Sequence, residues 1–132
     1  MKKRIERPTS PHIQIYKPML SMMMSIAHRI SGVFLYFGSL VLAWWLIAAA
    51  TGPHYFGIVN GHFSSIPGRL ILLAYSWALI HHMLGGIKHL VWDTGSGLSK
   101  PSVELWAWGS LIGSIALTVL IWYLAYAYRA IN

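Results

Sequence analysis

The sequence predicts an all-α integral membrane protein with three transmembrane helices, a cytoplasmic N-terminus and a periplasmic C-terminus. Of its 132 residues, 56% are hydrophobic and only 10% are charged, a balance that suits lipid rather than water as the solvent. The runs Ile30 to Thr51, Leu70 to Ile87 and Leu105 to Tyr128 contain no Lys, Arg, Asp or Glu. Each is near or above the roughly 18 to 20 apolar residues needed to cross a bilayer. The basic residues are sorted by loop: Lys2, Lys3, Arg4, Arg7 and Lys17 precede the first span, Arg29 sits at its mouth, and Lys88 and Lys100 flank the second loop. The first loop, Gly52 to Gly68, has no Lys or Arg, and only Arg69 and Arg129 mark that side. The positive-inside rule turns this asymmetry into the stated orientation.

In chain order, Pro8, Pro11 and Pro18 are expected to keep residues 1–20 extended, as a cytoplasmic arm at the membrane surface. Proline fixes φ and biases its predecessor away from helix. Residues 21–132 form the three-helix transmembrane domain, with helices expected over about 25–51, 68–93 and 103–129. Ser21 or Ser25 can cap the first helix, and Gly52-Pro53 ends it. Pro67-Gly68 opens the second, "DTGSG" closes it, and Pro101-Ser102 opens the third. Trp92, Trp106 and Trp108 fall at the inner interface, whereas Trp44, Trp45, Trp122, Tyr123, Tyr126 and Tyr128 fall near the outer one, as anchoring belts do. Gly109-x-x-x-Gly113, flanked by Ser110 and Ser114, and Ala74-x-x-x-Ala78 have spacings that let helices approach closely.

Composition excludes several functions. With no cysteine, the chain has no disulfide, thiolate metal site, iron-sulfur ligand or C-x-x-C-H haem attachment. Its net charge of +7 follows topology rather than a soluble basic face, so no nucleic acid is expected as a partner; the lipid bilayer is. The opening "MKKRIERPTSPH" lacks the apolar core and cleavage site of a secretory signal. It also lacks the Ser-rich, acid-free character of a transit peptide. A starting Met without such a presequence favours a bacterial inner membrane.

The histidines of "ALIHHMLGGIKHLVWD" are costly at membrane depth and mark a candidate site. At 100° per residue, His81 and His82 lie on different helix faces, so both cannot ligate one planar cofactor. His82 and His89 are nearly eclipsed, with Gly85 and Gly86 between them, giving an imidazole, a flat gap and a second imidazole. Such a gap suits a porphyrin: His82 can coordinate haem iron, while His89 or Lys88, about 10 Å along the helix, can reach a propionate. Spacing leaves a second reading open, in which the histidines bond neighbouring helices or line a hydrated crevice and the glycines pack helices. In the first helix, "SIAHRISG" sets Ser25, His28 and Arg29 at the level of His89 and Asp93 of an antiparallel neighbour. His28 is expected roughly two turns too shallow to lie opposite His82. A second imidazole ligand would then come from another chain, which predicts a partner membrane subunit.

The segments "RPTSPHIQIYKP", "SMMMSIAHRISG" and "HHMLGGIKHLVWD" together resemble the cytochrome b membrane-anchor subunits of succinate dehydrogenase, the large anchor chain of succinate:ubiquinone oxidoreductase, respiratory complex II. That family shows S-P-H-x-x-I-Y, S-I-x-H-R-x-[ST]-G and H-x-x-x-G-x-[RK]-H-x-x-x-D, and all three patterns occur here in order. The resemblance implies that His82 is the axial ligand of haem b, with the second axial ligand from the partner anchor subunit. It places Ser25 and Arg29 in a ubiquinone site and His28, Arg29 and His89 near the haem propionates. Asp93 is the acid closing the last pattern, with a proton or pocket role. His81, directly before the ligand, departs from the pattern; Gly86 and His89 keep the family spacing only from His82. A Ser25 hydroxyl can donate to a quinone oxygen, and Arg29 supplies fixed positive charge where negative charge develops on it.

The chain has no dinucleotide fingerprint, flavin fold or cluster cysteines, so succinate oxidation is expected in partner subunits, a flavoprotein and an iron-sulfur protein. The basic arm and "SPHIQIYKP" are candidates for their docking surface, or serve only as a topology signal. Two other functions stay open: the anchor of a fumarate reductase using menaquinone, and a cofactor-free membrane scaffold or proton-relay subunit.

Overall fold

A computed structural model describes residues 8–131; the expectations for Lys2, Lys3, Arg4 and Arg7 lie outside them. A 3-10 turn at His12–Ile15 precedes four helices: α1 (Leu20–Thr51), α2 (Pro53–Ser64), α3 (Ile66–Asp93) and α4 (Lys100–Ile131). The arm is thus not extended throughout, since Gln14 N–H donates to the Pro11 carbonyl at 3.2 Å. The helices α1, α3 and α4, of 32, 28 and 32 residues, have mean hydropathies of 2.0, 1.5 and 1.8 and are long and apolar enough to span a membrane. At 1.5 Å per residue they measure about 40 to 50 Å, beyond the ~30 Å hydrocarbon core, so their ends reach headgroup depth.

Two details differ from the sequence expectations. The cap of α1 is Met19, with no side-chain hydrogen bond, rather than Ser21 or Ser25. The Met19 backbone carbonyl instead accepts from Met22 and Met23 N–H, which starts the helix earlier. The stretch from Gly52 to Gly68, expected as a loop, holds α2. Gly52, at φ 135°, breaks α1, and Pro53 at the start of α2 has its φ preset for a helix. Glycines and polar residues obscure the apolar period of α2. It is tied back to α1 by a Trp44 Nε1–H bond to Tyr55 Oη at 3.0 Å and by Trp45 packing edge-on against Phe56. Ser65 then caps α3, its Oγ accepting from Gly68 N–H at 3.2 Å. A Cβ at Gly68 would strike the backbone of His62 and Phe63, so only glycine fits that corner.

The packing of α3 against α1, α2 and α4 makes it the centre of the bundle, and α1 also touches α4. The buried residues are mostly small, including Ala48, Ala78, Ala107, Ser110, Ser114 and Thr118, while most Leu and Ile side chains face outward, with Ile80 an exception. Helix association in lipid rests on such close approach and polar contacts, because lipid tails are as apolar as leucine. Of the two small-residue motifs, Gly113 packs, since a Cβ there would come within 3.3 Å of Leu84; Gly109 meets no neighbour. Ala78 is buried, whereas Ala74 is exposed.

Candidate functional site

The α1–α3 interface is built around two imidazoles. The rings of His28 and His82 stack with centroids 4.1 Å apart and planes 7° from parallel. Their hydrogen bonds are reciprocal. His28 Nε2–H donates to the His82 carbonyl at 3.2 Å, and His82 Nδ1–H donates to the His28 carbonyl at 3.1 Å. Ser31 Oγ donates to the same His28 carbonyl at 2.7 Å and lies 3.2 Å from His82 Nδ1, from which it can accept.

A backbone carbonyl only accepts, so these contacts assign the tautomers: His28 carries its proton on Nε2, and His82 carries its proton on Nδ1. Nε2 of His82 is then the unprotonated nitrogen, the form in which an imidazole can bind a metal. Metal-binding imidazoles are oriented in this way, by a carbonyl on the other ring nitrogen.

Glycines make this approach feasible. A Cβ at Gly32 would stand 3.0 Å from His82 Cε1, and one at Gly85 would collide with the His28 ring. Each histidine therefore lies over a glycine notch in the opposite helix. This changes two sequence expectations. His28 is not two turns too shallow: its ring meets both His82 and, at 5.4 Å, His89. The relative shift of two helices is set by which notches accept which side chains, and a count of residues from the helix mouth misses it. Gly85 is occupied by His28 rather than left flat for a cofactor. Gly86, beside it, has no atom within 4 Å of where a Cβ would be.

His81 points elsewhere. It is 2% exposed, stacks on Trp77 at 5.2 Å and faces α4 through Ser114 Oγ, 3.5 Å from its Nδ1. Lys88, one heptad further along this face, is 5% exposed with its Nζ 4.8 Å from the centre of the Trp92 ring. Lys88 is thus turned into the bundle, which leaves His89 as the exposed candidate for a propionate. His89 packs edge-on against Trp92 at 5.3 Å.

Ser25 and Arg29 are exposed on α1, four residues apart and therefore on one face beside His28. Asp93 is the exposed last residue of α3, one turn beyond His89. Among the described residues no ion pair joins Arg29 to Asp93, so these groups border the histidine cluster without closing a pocket within this chain. Sequence reasoning overlooked Ser31 and Gly32, although both stand in the quoted "HRISG"; the motif gave their presence but not their contact with His82.

Among the described residues, no three His, Cys, Asp or Glu side chains converge to hold a metal ion. A haem iron needs only one ligand from this chain. The donor set fits one: an imidazole with its Nδ1 engaged, a half-buried glycine with open space at its Cβ position, and exposed His89 and Arg29 nearby.

These features define a helical membrane protein with an imidazole cluster at a helix–helix seam. Residues 3–121 match the family described as the succinate dehydrogenase/fumarate reductase transmembrane subunit, and the chain belongs to that family. It is 42% identical over 117 residues to the succinate dehydrogenase cytochrome b556 subunit of Rickettsia bellii, covering 89% of this chain and 91% of that one. It is 38% identical to the b556 subunit of Paracoccus denitrificans, covering 89% and 90%. The mitochondrial cytochrome b560 subunit of Mus musculus is 36% identical, covering 86% of this chain and 66% of that one.

Proposed function

We propose that this chain is the larger membrane anchor of a succinate:ubiquinone oxidoreductase in a bacterial inner membrane. It holds haem b through His82 and contributes to the site where ubiquinone is reduced. The observation that carries this reading is the tautomer-fixing contact of His82 Nδ1 with the His28 carbonyl and Ser31. It leaves Nε2 as the donor, in a chain whose relatives are named as cytochromes b.

The haem, when bound, supplies a one-electron centre inside the membrane. This chain's part is to orient the ligand ring, to leave space at Gly86, and to offer His89 and Arg29 to the propionates, with the His28 ring beside them braced on the His82 carbonyl. A second imidazole for the iron would come from the partner anchor subunit, since the His28 ring is already committed to the His82 carbonyl. Ser25 donates to a quinone oxygen. Arg29 stabilises the negative charge that develops there during reduction, and Asp93 lies at the aqueous end for proton entry. Succinate is oxidised by the flavoprotein subunit, and electrons arrive through the iron-sulfur subunit.

The test is a redox difference spectrum of the purified complex. His82→Ala should abolish the b-type absorption while the co-purifying subunits remain, and His81→Ala should keep it. A b-type spectrum that survives His82→Ala would sink the ligand assignment. Arg29→Leu should lower the rate of quinone reduction by at least about tenfold, as expected on removing a group that stabilises developing charge, with haem content retained. Unaltered quinone kinetics would remove Arg29 from the site.

A further inference from the structure

We propose that the end of the bundle remote from the His28–His82 pair binds the phosphodiester headgroup of an anionic phospholipid between Arg69 and Arg129. Both arginines line one cleft of about 370 Å³ formed by α2, α3 and α4. Arg69 lies in the first turn of α3 and Arg129 in the last turn of α4, so the antiparallel packing of these helices brings two positive charges to the same level.

The acidic side chains leave this end of the bundle positive. The chain has three of them, Glu6, Asp93 and Glu104. Asp93 and Glu104 stand at the opposite end of α3 and α4, and Glu6 precedes the described residues. Among the described residues neither arginine forms an ion pair. Arg69 also lies at the positive end of the α3 dipole, where a cation is unfavourable and the first turn contains no acidic residue. Two guanidiniums in one cleft match the oxygens of a phosphate through paired N–H donors.

The rest of the cleft fits a lipid better than a soluble anion. Its wall combines Ser64 and Ser76 with the apolar Leu72 and Ile121. Trp122 donates to Ser76 Oγ at 3.3 Å, which fixes an indole at the depth where Trp borders headgroups. The cleft shares Asn60, Phe63 and Leu72 with a neighbouring apolar cleft of about 510 Å³, which offers an acyl chain a course along α1 and α3. The proposal does not depend on the haem reading, because none of these residues touches the histidine cluster.

The experiment uses the complex purified with its co-purifying subunits, stripped of lipid in mild detergent. It is titrated with phosphatidylglycerol and, separately, with phosphatidylcholine, and bound lipid is counted by native mass spectrometry. Phosphatidylglycerol should be preferred. The double variant Arg69→Gln/Arg129→Gln should lose about tenfold or more in apparent affinity, given roughly 1 kcal/mol for each basic residue acting on an anionic lipid. Arg69→Lys/Arg129→Lys should retain much of the binding, which guards against misfolding as the cause. Equal retention by the Gln variant and the native complex overturns the proposal. So does equal protection of the complex by inorganic phosphate, which would make a soluble anion the occupant. If Arg69→Glu/Arg129→Glu releases a subunit without altering lipid binding, the arginines face a partner carboxylate and the proposal fails.

Discussion

At the scale of single residues, the site depends on how one imidazole is held. The Nδ1 of His82 has two oxygen neighbours, the His28 carbonyl and Ser31 Oγ, so removing the hydroxyl weakens the orientation without abolishing it. Ser31→Ala should therefore keep a b-type spectrum but loosen haem by about tenfold, the lower end of what loss of an orienting partner costs a metal site. The midpoint potential should shift with it. Haem retention and potential both unchanged in a redox titration would reduce Ser31 to a helix-packing residue. The rule of 100° per residue puts His81 and His82 on different faces, and the structure places them against α4 and α1 respectively. The stacking of His28 on His82 was not legible. It depends on the axial offset between two helices, which no local pattern encodes.

At the scale of elements, Gly85 and Gly86 make opposite predictions although they are adjacent. A methyl group at Gly85 would enter the His28 ring, whereas one at Gly86 meets nothing in this chain. Gly85→Ala should lower stability by about 1 to 3 kcal/mol, the usual cost of overpacking, seen as a reduced melting temperature even without haem. Gly86→Ala should leave the haem-free protein as stable as before and reduce haem content instead. Equal melting temperatures for the two variants without haem would contradict the notch at Gly85. The same contrast explains which elements the sequence revealed. The helices α1, α3 and α4 announce themselves by long charge-free runs. The shorter α2 does not, because Gly57, Asn60 and Gly61 interrupt its apolar pattern and its hold on the fold comes from contacts such as Trp44 with Tyr55.

At the scale of the whole molecule, the remaining question is which way the bundle faces. Helices α1 and α3 run antiparallel, so Lys17, Arg29, Lys88 and Lys100 collect at the end that holds the histidine cluster, while Arg69 and Arg129 mark the other. That imbalance should place the α3–α4 loop in the cytoplasm and α2 outside, with the residues proposed for haem and quinone nearest the side where soluble electron donors would arrive. The absence of native cysteine makes the orientation directly measurable, because a single introduced thiol is the only one in this chain. Asn60→Cys on α2 and Thr94→Cys beyond α3 are both exposed positions. A membrane-impermeant maleimide applied to intact spheroplasts should label Asn60→Cys at once and Thr94→Cys only after the membrane is permeabilised. The reverse pattern would invert the molecule, moving Ser25 and Arg29 to the side away from the iron-sulfur donor and detaching the proposed quinone site from its source of electrons.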